Sequence, residues 1–171
     1  MIDLILTFLN QIDILINENY FLTFIIYFIF CLLFFLLSLP GGVFVNLASG
    51  FFFGFYIGFI INIFSVVIGS TIFYLLIKKY LSKYYIKYLD KYLVKLNKIL
   101  KKSTIEYLIL IRFAFGVPLF IQNAFLATLE ITTIKFIVST AIGFTPYFLL
   151  FSYLGDKFSN LIEIKKFSLS N

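Results

Sequence analysis

The sequence predicts an all-α integral membrane protein whose two halves each contain one interrupted hydrophobic segment. Of its 171 residues, 62% are hydrophobic and 13% are charged, and the mean hydropathy of +1.05 is far above that of soluble domains. In each half a hydrophobic segment is broken by a proline, Pro40 or Pro118, and an asparagine follows. Matched broken segments indicate a transport site between two repeats of a membrane protein.

Residues 1–19 are predicted to form an amphipathic helix that lies in the membrane interface. Their apolar side chains recur at roughly helical spacing among polar ones such as Asp3, Asn10 and Asp13. No basic residue precedes the first apolar stretch, which argues against a cleaved signal peptide. The chain length suits one domain, which we place at residues 20–155, followed by a tail at residues 156–171.

The first repeat is predicted to span residues 20–77. Residues 20–39 carry no charge and are numerous enough for a transmembrane helix, which Pro40, Gly41 and Gly42 would end. Residues 43–55 are too few to cross the bilayer, so we expect a re-entrant hairpin there. Residues 59–77 form a second predicted span. Its small and weakly polar residues indicate helix packing rather than substrate contact: Asn62, Ser65, Gly69, Ser70 and Thr71.

Residues 78–102 are predicted to form a basic amphipathic connector between the two repeats. Lysines recur there every three or four residues against a single acidic residue, Asp90, and apolar side chains occupy the other face. Such segments stay on the cytoplasmic side and contact anionic headgroups, so we favour membrane anchoring over specific lipid recognition. No motif suggests nucleic-acid binding.

The second repeat is predicted to span residues 103–155. Residues 106–128 form its interrupted segment, which Gly116 and Pro118 break. Residues 134–154 form its last hydrophobic helix, which Pro146 should kink because proline removes a backbone donor. The tail, residues 156–171, is predicted to be a short surface helix or a disordered end.

Arg112 is the only arginine, and it lies in the second interrupted segment among apolar residues. A guanidinium stays protonated, and holding it at membrane depth costs several kcal/mol unless it is paired or reaches water. Three partners are open. Arg112 could extend to the lysine-rich interface, pair with Glu130 or Glu106, or bind a transported phosphate, for which its planar fork is suited.

Enzymatic chemistry has little support in this sequence. The chain has no histidine, and its single cysteine, Cys31, lies in an apolar run. Histidine-based nucleophile pairs and histidine metal ligands are therefore absent, and the membrane segments offer no paired carboxylates for acid and base work. We predict a protein that is not an enzyme and needs no cofactor or metal.

A set of motifs resembles the SNARE-associated Golgi protein family, which carries the VTT domain and belongs to the DedA superfamily. The resemblance covers roughly residues 36–155. The motifs, in order, are PGG at 40–42, NLASG at 46–50, FG at 53–54, ILIR at 109–112, Pro118, Asn123, GFTP at 143–146 and YLG at 153–155.

The resemblance implies two inverted repeats, each a re-entrant helical hairpin plus a transmembrane helix. Members of the superfamily are associated with polyprenyl-phosphate recycling or phospholipid scrambling, so Arg112 would meet a lipid phosphate. Three positions depart from the family pattern. Phe115 stands where many relatives have a proline, Ala127 replaces a frequent glycine, and the first hairpin has Asn46 but no acidic residue. Proton coupling is therefore not expected.

Our working hypothesis is a transporter or scramblase of phosphate-bearing lipids in which two hairpin tips meet near the midplane. Its substrate would be an anionic phospholipid or a polyprenyl phosphate, in a bacterial inner membrane. The expected substrate-binding residues are Arg112, Asn46, Asn123, Gly41, Gly42, Pro118, Gly143 and Pro146, although Gly143 and Pro146 could equally serve helix packing and kinking.

Alternatives remain open for both function and topology. The chain could organise the membrane by recruiting a partner through the lysine helix, or it could transport a small solute or ion. Residues 107–126 could cross the bilayer completely, which would return the C-terminus to the cytoplasm, but we favour re-entry because Arg112 makes a lipid-facing span costly. Homo-oligomerisation is also open.

Overall fold

The computed structural model describes residues 18–80, 105–113, 117–129 and 131–170, and the side chains of the last range as far as Ile162. The predicted N-terminal interfacial helix and the basic connector lie almost entirely outside these residues. The described residues form five helices: α1 (Tyr20–Leu36), α2 (Gly42–Tyr80), α3 (Ile105–Arg112), α4 (Leu119–Thr128) and α5 (Thr133–Ser170).

Helix α2 consists of two antiparallel limbs that meet at Gly54. This glycine has φ +75° and ψ 172°, a backbone conformation that residues other than glycine rarely adopt. The limbs, α2a (residues 42–53) and α2b (residues 55–80), are in close contact. A Cβ on Gly58 would come within 2.7 Å of the Ser49 backbone. The chain therefore reverses direction at Gly54.

Helices α1 and α2a form a first hairpin, hairpin 1, whose tip is residues 37–41. The Tyr27 hydroxyl donates to the Val45 carbonyl at 2.8 Å, and the Tyr20 ring lies edge-on to Phe53 at 6.0 Å. The two helices are therefore antiparallel. At the tip, Ser38 has φ +51° and precedes the restricted Leu39–Pro40 step, which prevents α1 from continuing.

Two expectations for the first repeat are wrong. The helix predicted over residues 20–39 ends at Leu36 after 17 residues, because the chain turns at the tip of hairpin 1. Residues 43–55 do not contain a complete hairpin, because the turn at Gly54 makes residues 42–53 a single limb. The hairpin is formed by α1 together with α2a.

Helices α3 and α4 belong to a second hairpin, hairpin 2, whose described tip residues are 113, 117 and 118. Leu108 of α3 and Leu126 of α4 belong to the same buried cluster, and the Arg112 guanidinium donates to Asn123 of α4. At a rise of 1.5 Å per residue the two helices are only about 12 Å and 15 Å long, too short for a core of about 30 Å. The described residues of the segment 107–126 thus lie in two short helices rather than in one continuous helix.

Helices α2b and α5 form the antiparallel frame of the fold. At one end α5 packs on α2a so closely that a Cβ on Gly50 would collide with the Ser152 backbone. At the other end the Tyr74 and Phe136 rings stack at 4.2 Å. Two stretches among the described residues are long and apolar enough to cross a membrane: Gly42–Tyr80 and Thr133–Ile162.

Buried polar side chains on α2b confirm its predicted packing face. The Asn62 amide donates to the Ser49 hydroxyl on α2a and, at 3.2 Å, to the Ser152 hydroxyl on α5. All three residues are fully buried. Ser65, Gly69 and Ser70 are buried as well. The predicted short tail helix is wrong in one respect, because α5 continues without interruption to Ser170.

The two hairpins flank this frame from opposite ends. Hairpin 1 lies at the end where Gly54 neighbours Asp156, and hairpin 2 at the end where the Lys78 ammonium donates to the Ile131 carbonyl at 2.9 Å. Gly69, near the middle of α2b, packs against the backbone of Leu36 at the end of α1. The two tips therefore approach each other near the middle of the long helices.

Candidate functional site

A cavity of about 340 Å³ lies between the tips of hairpins 1 and 2, and we call it the tip cavity. Residues of both tips surround its mouth, and several of them are exposed, including Leu39, Pro40 and Val117. Aromatic side chains of α1 and α5 form much of its wall. The lining residues are Phe35, Leu39, Pro40, Gly41, Gly42, Val43, Asn46, Val66, Arg112, Val117, Pro118, Leu119, Gln122, Phe144, Tyr147 and Phe148.

Arg112 is the last residue of α3 and contributes the positive charge of the tip cavity. Only 3% of the residue is exposed. Its Nη1 donates to the Asn123 Oδ1 at 2.7 Å, and its Nη2 donates to the Thr140 Oγ1 at 2.8 Å. The guanidinium carbon also lies 4.7 Å from the Phe136 ring centroid and 5.5 Å from that of Phe144. Within the part of the chain that the structure describes, neutral oxygens and aromatic faces thus hold the guanidinium.

The geometry reduces the number of possible partners for Arg112. A side chain that is 3% exposed and bonded inside the protein does not extend to the lysine-rich interface. Glu106 lies on the exposed first turn of α3, two turns away along the helix. Glu130 lies outside the described residues, so pairing with it stays a prediction, as does binding of a phosphate.

Asn123 joins hairpin 2 to hairpin 1. While its Oδ1 accepts from Arg112, its Nδ2 donates to the Ser38 Oγ at 3.3 Å, and the Ser38 hydroxyl donates in turn to the Phe35 carbonyl at 3.3 Å. Thr140, Arg112, Asn123 and Ser38 therefore form one hydrogen-bonded chain that passes from α5 through both tips. The position of the arginine and the closure of the two tips depend on the same groups.

Asn46 occupies the position in hairpin 1 that Asn123 occupies in hairpin 2. Each is the fifth residue of the helix that follows its tip, α2a or α4. Both are fully buried, but their environments differ. Asn46 lines the tip cavity, and neither its Nδ2 nor its Oδ1 has a hydrogen-bond partner within the described part of the chain.

Five of the eight residues expected to bind substrate line the tip cavity. Asn123 lies behind Arg112 as its hydrogen-bond acceptor. Gly143 supports the same side chain from α5, because a Cβ at this position would collide with the Arg112 Cβ. Pro146 is not among the lining residues, and α5 continues as a helix on both sides of it. The five that line the cavity are Arg112, Asn46, Gly41, Gly42 and Pro118.

Three polar residues of the site were not predicted from the sequence. Thr140 accepts a hydrogen bond from Arg112, and Ser38 accepts one from Asn123. Gln122 lines the cavity, and its Nε2 donates to the Val117 carbonyl at 3.0 Å. Thr140 lies three residues before Gly143, so both share one face of α5. The signal that could have identified Thr140 is its position on the helix. It is a polar residue on the same face of α5 as Gly143, which lies opposite the lone arginine.

These features define a class of protein: an all-helical membrane protein in which two broken-helix hairpins enclose a buried arginine between two long apolar helices. The sequence profile of the VTT domain matches residues 39–157, more than half of the chain. The protein therefore belongs to the VTT domain family, that of the SNARE-associated Golgi and DedA proteins, which is generally non-enzymatic. No curated protein and no solved structure matches the chain.

Proposed function

We propose that this protein moves phosphate-bearing lipids across the bilayer, as a transporter or scramblase, and that the tip cavity receives the headgroup. One observation carries the proposal: a side chain with a permanent charge, Arg112, is buried between two hairpin tips and lines a cavity there. Burying such a charge costs several kcal/mol, which a purely structural role would not require. Arginine also matches the geometry of phosphate better than any other side chain.

The membrane placement that we propose makes α2b and α5 the spanning helices. At 1.5 Å per residue, α2b is roughly 39 Å long, enough for a hydrocarbon core of about 30 Å. The hairpins then enter from opposite sides, which makes the two halves inverted repeats. The tip cavity would lie close to the midplane, since Gly69 is roughly 21 Å from one end of α2b and 16 Å from the other.

The charge of the tip cavity favours an anionic group. Arg112 is its only charged lining residue within the described ranges, so this lining contributes one positive charge. A carboxylate that could hold a proton for coupled transport is not among these residues. A phosphate reaching the midplane would supply the negative charge that the neutral partners of the guanidinium, Asn123 and Thr140, do not provide.

The apolar part of the cavity suits a lipid rather than a free solute. Leu39 and Val117 are 44% and 40% exposed at the mouth, where the proposed placement brings them level with the acyl chains. A soluble anion would have to cross this apolar rim, whereas a lipid could keep its chains in the bilayer while its headgroup enters. We place the protein in a bacterial inner membrane, with anionic phospholipid or polyprenyl phosphate as its partner.

The experiment is a transbilayer movement assay in liposomes that contain the purified protein. Fluorescent phospholipid and polyprenyl phosphate are compared for wild type, Arg112→Lys and Arg112→Ala, with Lys135→Ala as a control that removes an exposed positive charge outside the cavity. We expect rapid movement by wild type and the control, and at least a tenfold loss in both Arg112 variants. Movement no faster than in empty liposomes for both lipids would refute the proposal and favour the small-solute or membrane-organising alternatives.

A further inference from the structure

We infer that the tip cavity selects lipid headgroups that carry a hydrogen-bond donor in addition to the phosphate, and that Asn46 makes the selection. The inference rests on the proposed function, because it concerns which lipid the same site accepts. It separates headgroups such as ethanolamine and glycerol, which have N–H or O–H groups, from choline, which has neither.

Asn46 combines complete burial with an unused amide. Its relative exposure is 0%, and both amide atoms lack a partner in the ranges that the structure covers. Exchanging the amide nitrogen and oxygen by rotation changes nothing, since neither atom is bonded. Leaving a buried polar group unsatisfied costs free energy, so proteins retain few such groups without a functional reason.

Asn46 and Arg112 line the same cavity. The Nη1 and Nη2 atoms have partners, but the Nε is also unpartnered among the described residues. The unpartnered atoms of these two residues are Arg112 Nε and Asn46 Nδ2, which donate, and Asn46 Oδ1, which accepts. Phosphate oxygens can accept from both donors, but no phosphodiester oxygen can donate to the Oδ1.

The remaining acceptor specifies the rest of the headgroup. An ammonium or hydroxyl next to the phosphate would donate to the Asn46 Oδ1 and satisfy this acceptor. Trimethylammonium cannot do this, and its methyl groups would keep the amide oxygen buried and unbonded. A difference of one hydrogen bond to a neutral acceptor corresponds to a preference on the order of fivefold.

The test uses phospholipids whose headgroups have equal charge and differ in their N–H groups. Phosphatidylethanolamine, its N,N-dimethyl derivative and phosphatidylcholine, all labelled on an acyl chain, are reconstituted with wild type, Asn46→Leu or Thr145→Val. Leucine has the same branched arrangement of side-chain heavy atoms as asparagine and removes both polar atoms. Thr145 serves as the control, because its hydroxyl bonds the Ala141 carbonyl within α5 and it is not a lining residue.

We expect wild type and the Thr145 variant to move the two N–H headgroups about fivefold faster than choline, and Asn46→Leu to move all three at similar rates. Equal rates in wild type, or a preference that persists in Asn46→Leu, would overturn the inference while leaving lipid movement intact. No movement of any lipid by wild type would instead overturn the proposed function and the inference together. Thermal unfolding in detergent is the check that the Asn46→Leu variant is folded.

Discussion

Replacing Asn123 by aspartate is the sharpest perturbation of the buried charge, because it alters one atom in the side chain that Arg112 already contacts. The Arg112 Nη1 lies 2.7 Å from the Asn123 Oδ1, so the new carboxylate would form an ion pair with no rearrangement of either side chain. A phosphate that needs the guanidinium would then have to compete with a fixed internal anion. We expect Asn123→Asp to inhibit lipid movement.

The magnitude follows from the geometry. Two unit charges about 4 Å apart interact by about 4 kcal/mol at an effective dielectric constant of about 20. Desolvation of the new carboxylate offsets part of this, and if about half remains, a phosphate binds roughly 30-fold less well. Lipid movement at subsaturating substrate should fall by a similar factor.

The assay compares rates of lipid movement in liposomes for wild type, Asn123→Asp and Asn160→Asp. Asn160 is exposed on α5 and outside the tip cavity, so the control makes the same chemical change and the same change in net charge. We expect the control to keep the wild-type rate. Equal rates for the two aspartate variants, in proteins of equal thermal stability, would show that the Arg112 charge is not used in transport.

Three further substitutions test the structure around the site. Gly143→Ala adds a Cβ that collides with the Arg112 Cβ and should displace the guanidinium, lowering lipid movement at least tenfold; unchanged movement would show that the arginine tolerates displacement. Gly54→Ala forces a residue with a Cβ into φ +75° and ψ 172° and should lower the free energy of unfolding by about 1 to 3 kcal/mol. The measurement is the thermal midpoint in detergent, and an unchanged midpoint would contradict the turn at Gly54. Asn46→Leu removes a buried unpartnered amide and should leave the thermal midpoint equal or higher; a clear decrease would mean that the amide is bonded in the folded protein.

The sequence was sufficient to locate the interrupted segments and the buried charge. Pro40 and Pro118 both lie at hairpin tips, because proline cannot continue a helix through its own position and restricts the residue before it. Arg112 could be singled out as a functional candidate because no other guanidinium occurs in the chain. These are local properties of residue type, which need no knowledge of packing.

The pairing of helices could not be predicted in the same way. The apolar run of residues 20–39 has no internal polar signal, so nothing in it indicates that the helix ends at Leu36 and pairs with residues 42–53. The predicted bounds at residues 55 and 59 place a break close to Gly54, but they do not show that the limbs on its two sides pack against each other. Only the tertiary contacts of α2a with α1 and α2b reveal its role.

The partners of Arg112 were hidden for a related reason. Thr140 lies 28 positions away from the arginine and Ser38 lies 85 positions away from Asn123, and both are common residues in membrane helices. Their roles depend on where two hairpins from opposite halves meet. The sequence shows that an asparagine follows the proline of each interrupted segment, but it does not show that the Asn123 amide is bonded and the Asn46 amide is not.

The most direct test of lipid recognition by the buried guanidinium is the rate of transbilayer movement of a labelled phospholipid by wild type and Arg112→Lys. Lysine retains the positive charge and loses the planar fork, so it separates phosphate geometry from charge alone. We predict that the wild-type protein moves the lipid rapidly. The rate for the Arg112→Lys variant should be at least tenfold lower, although the variant remains folded. Equal rates for the two proteins would contradict a phosphate site at Arg112.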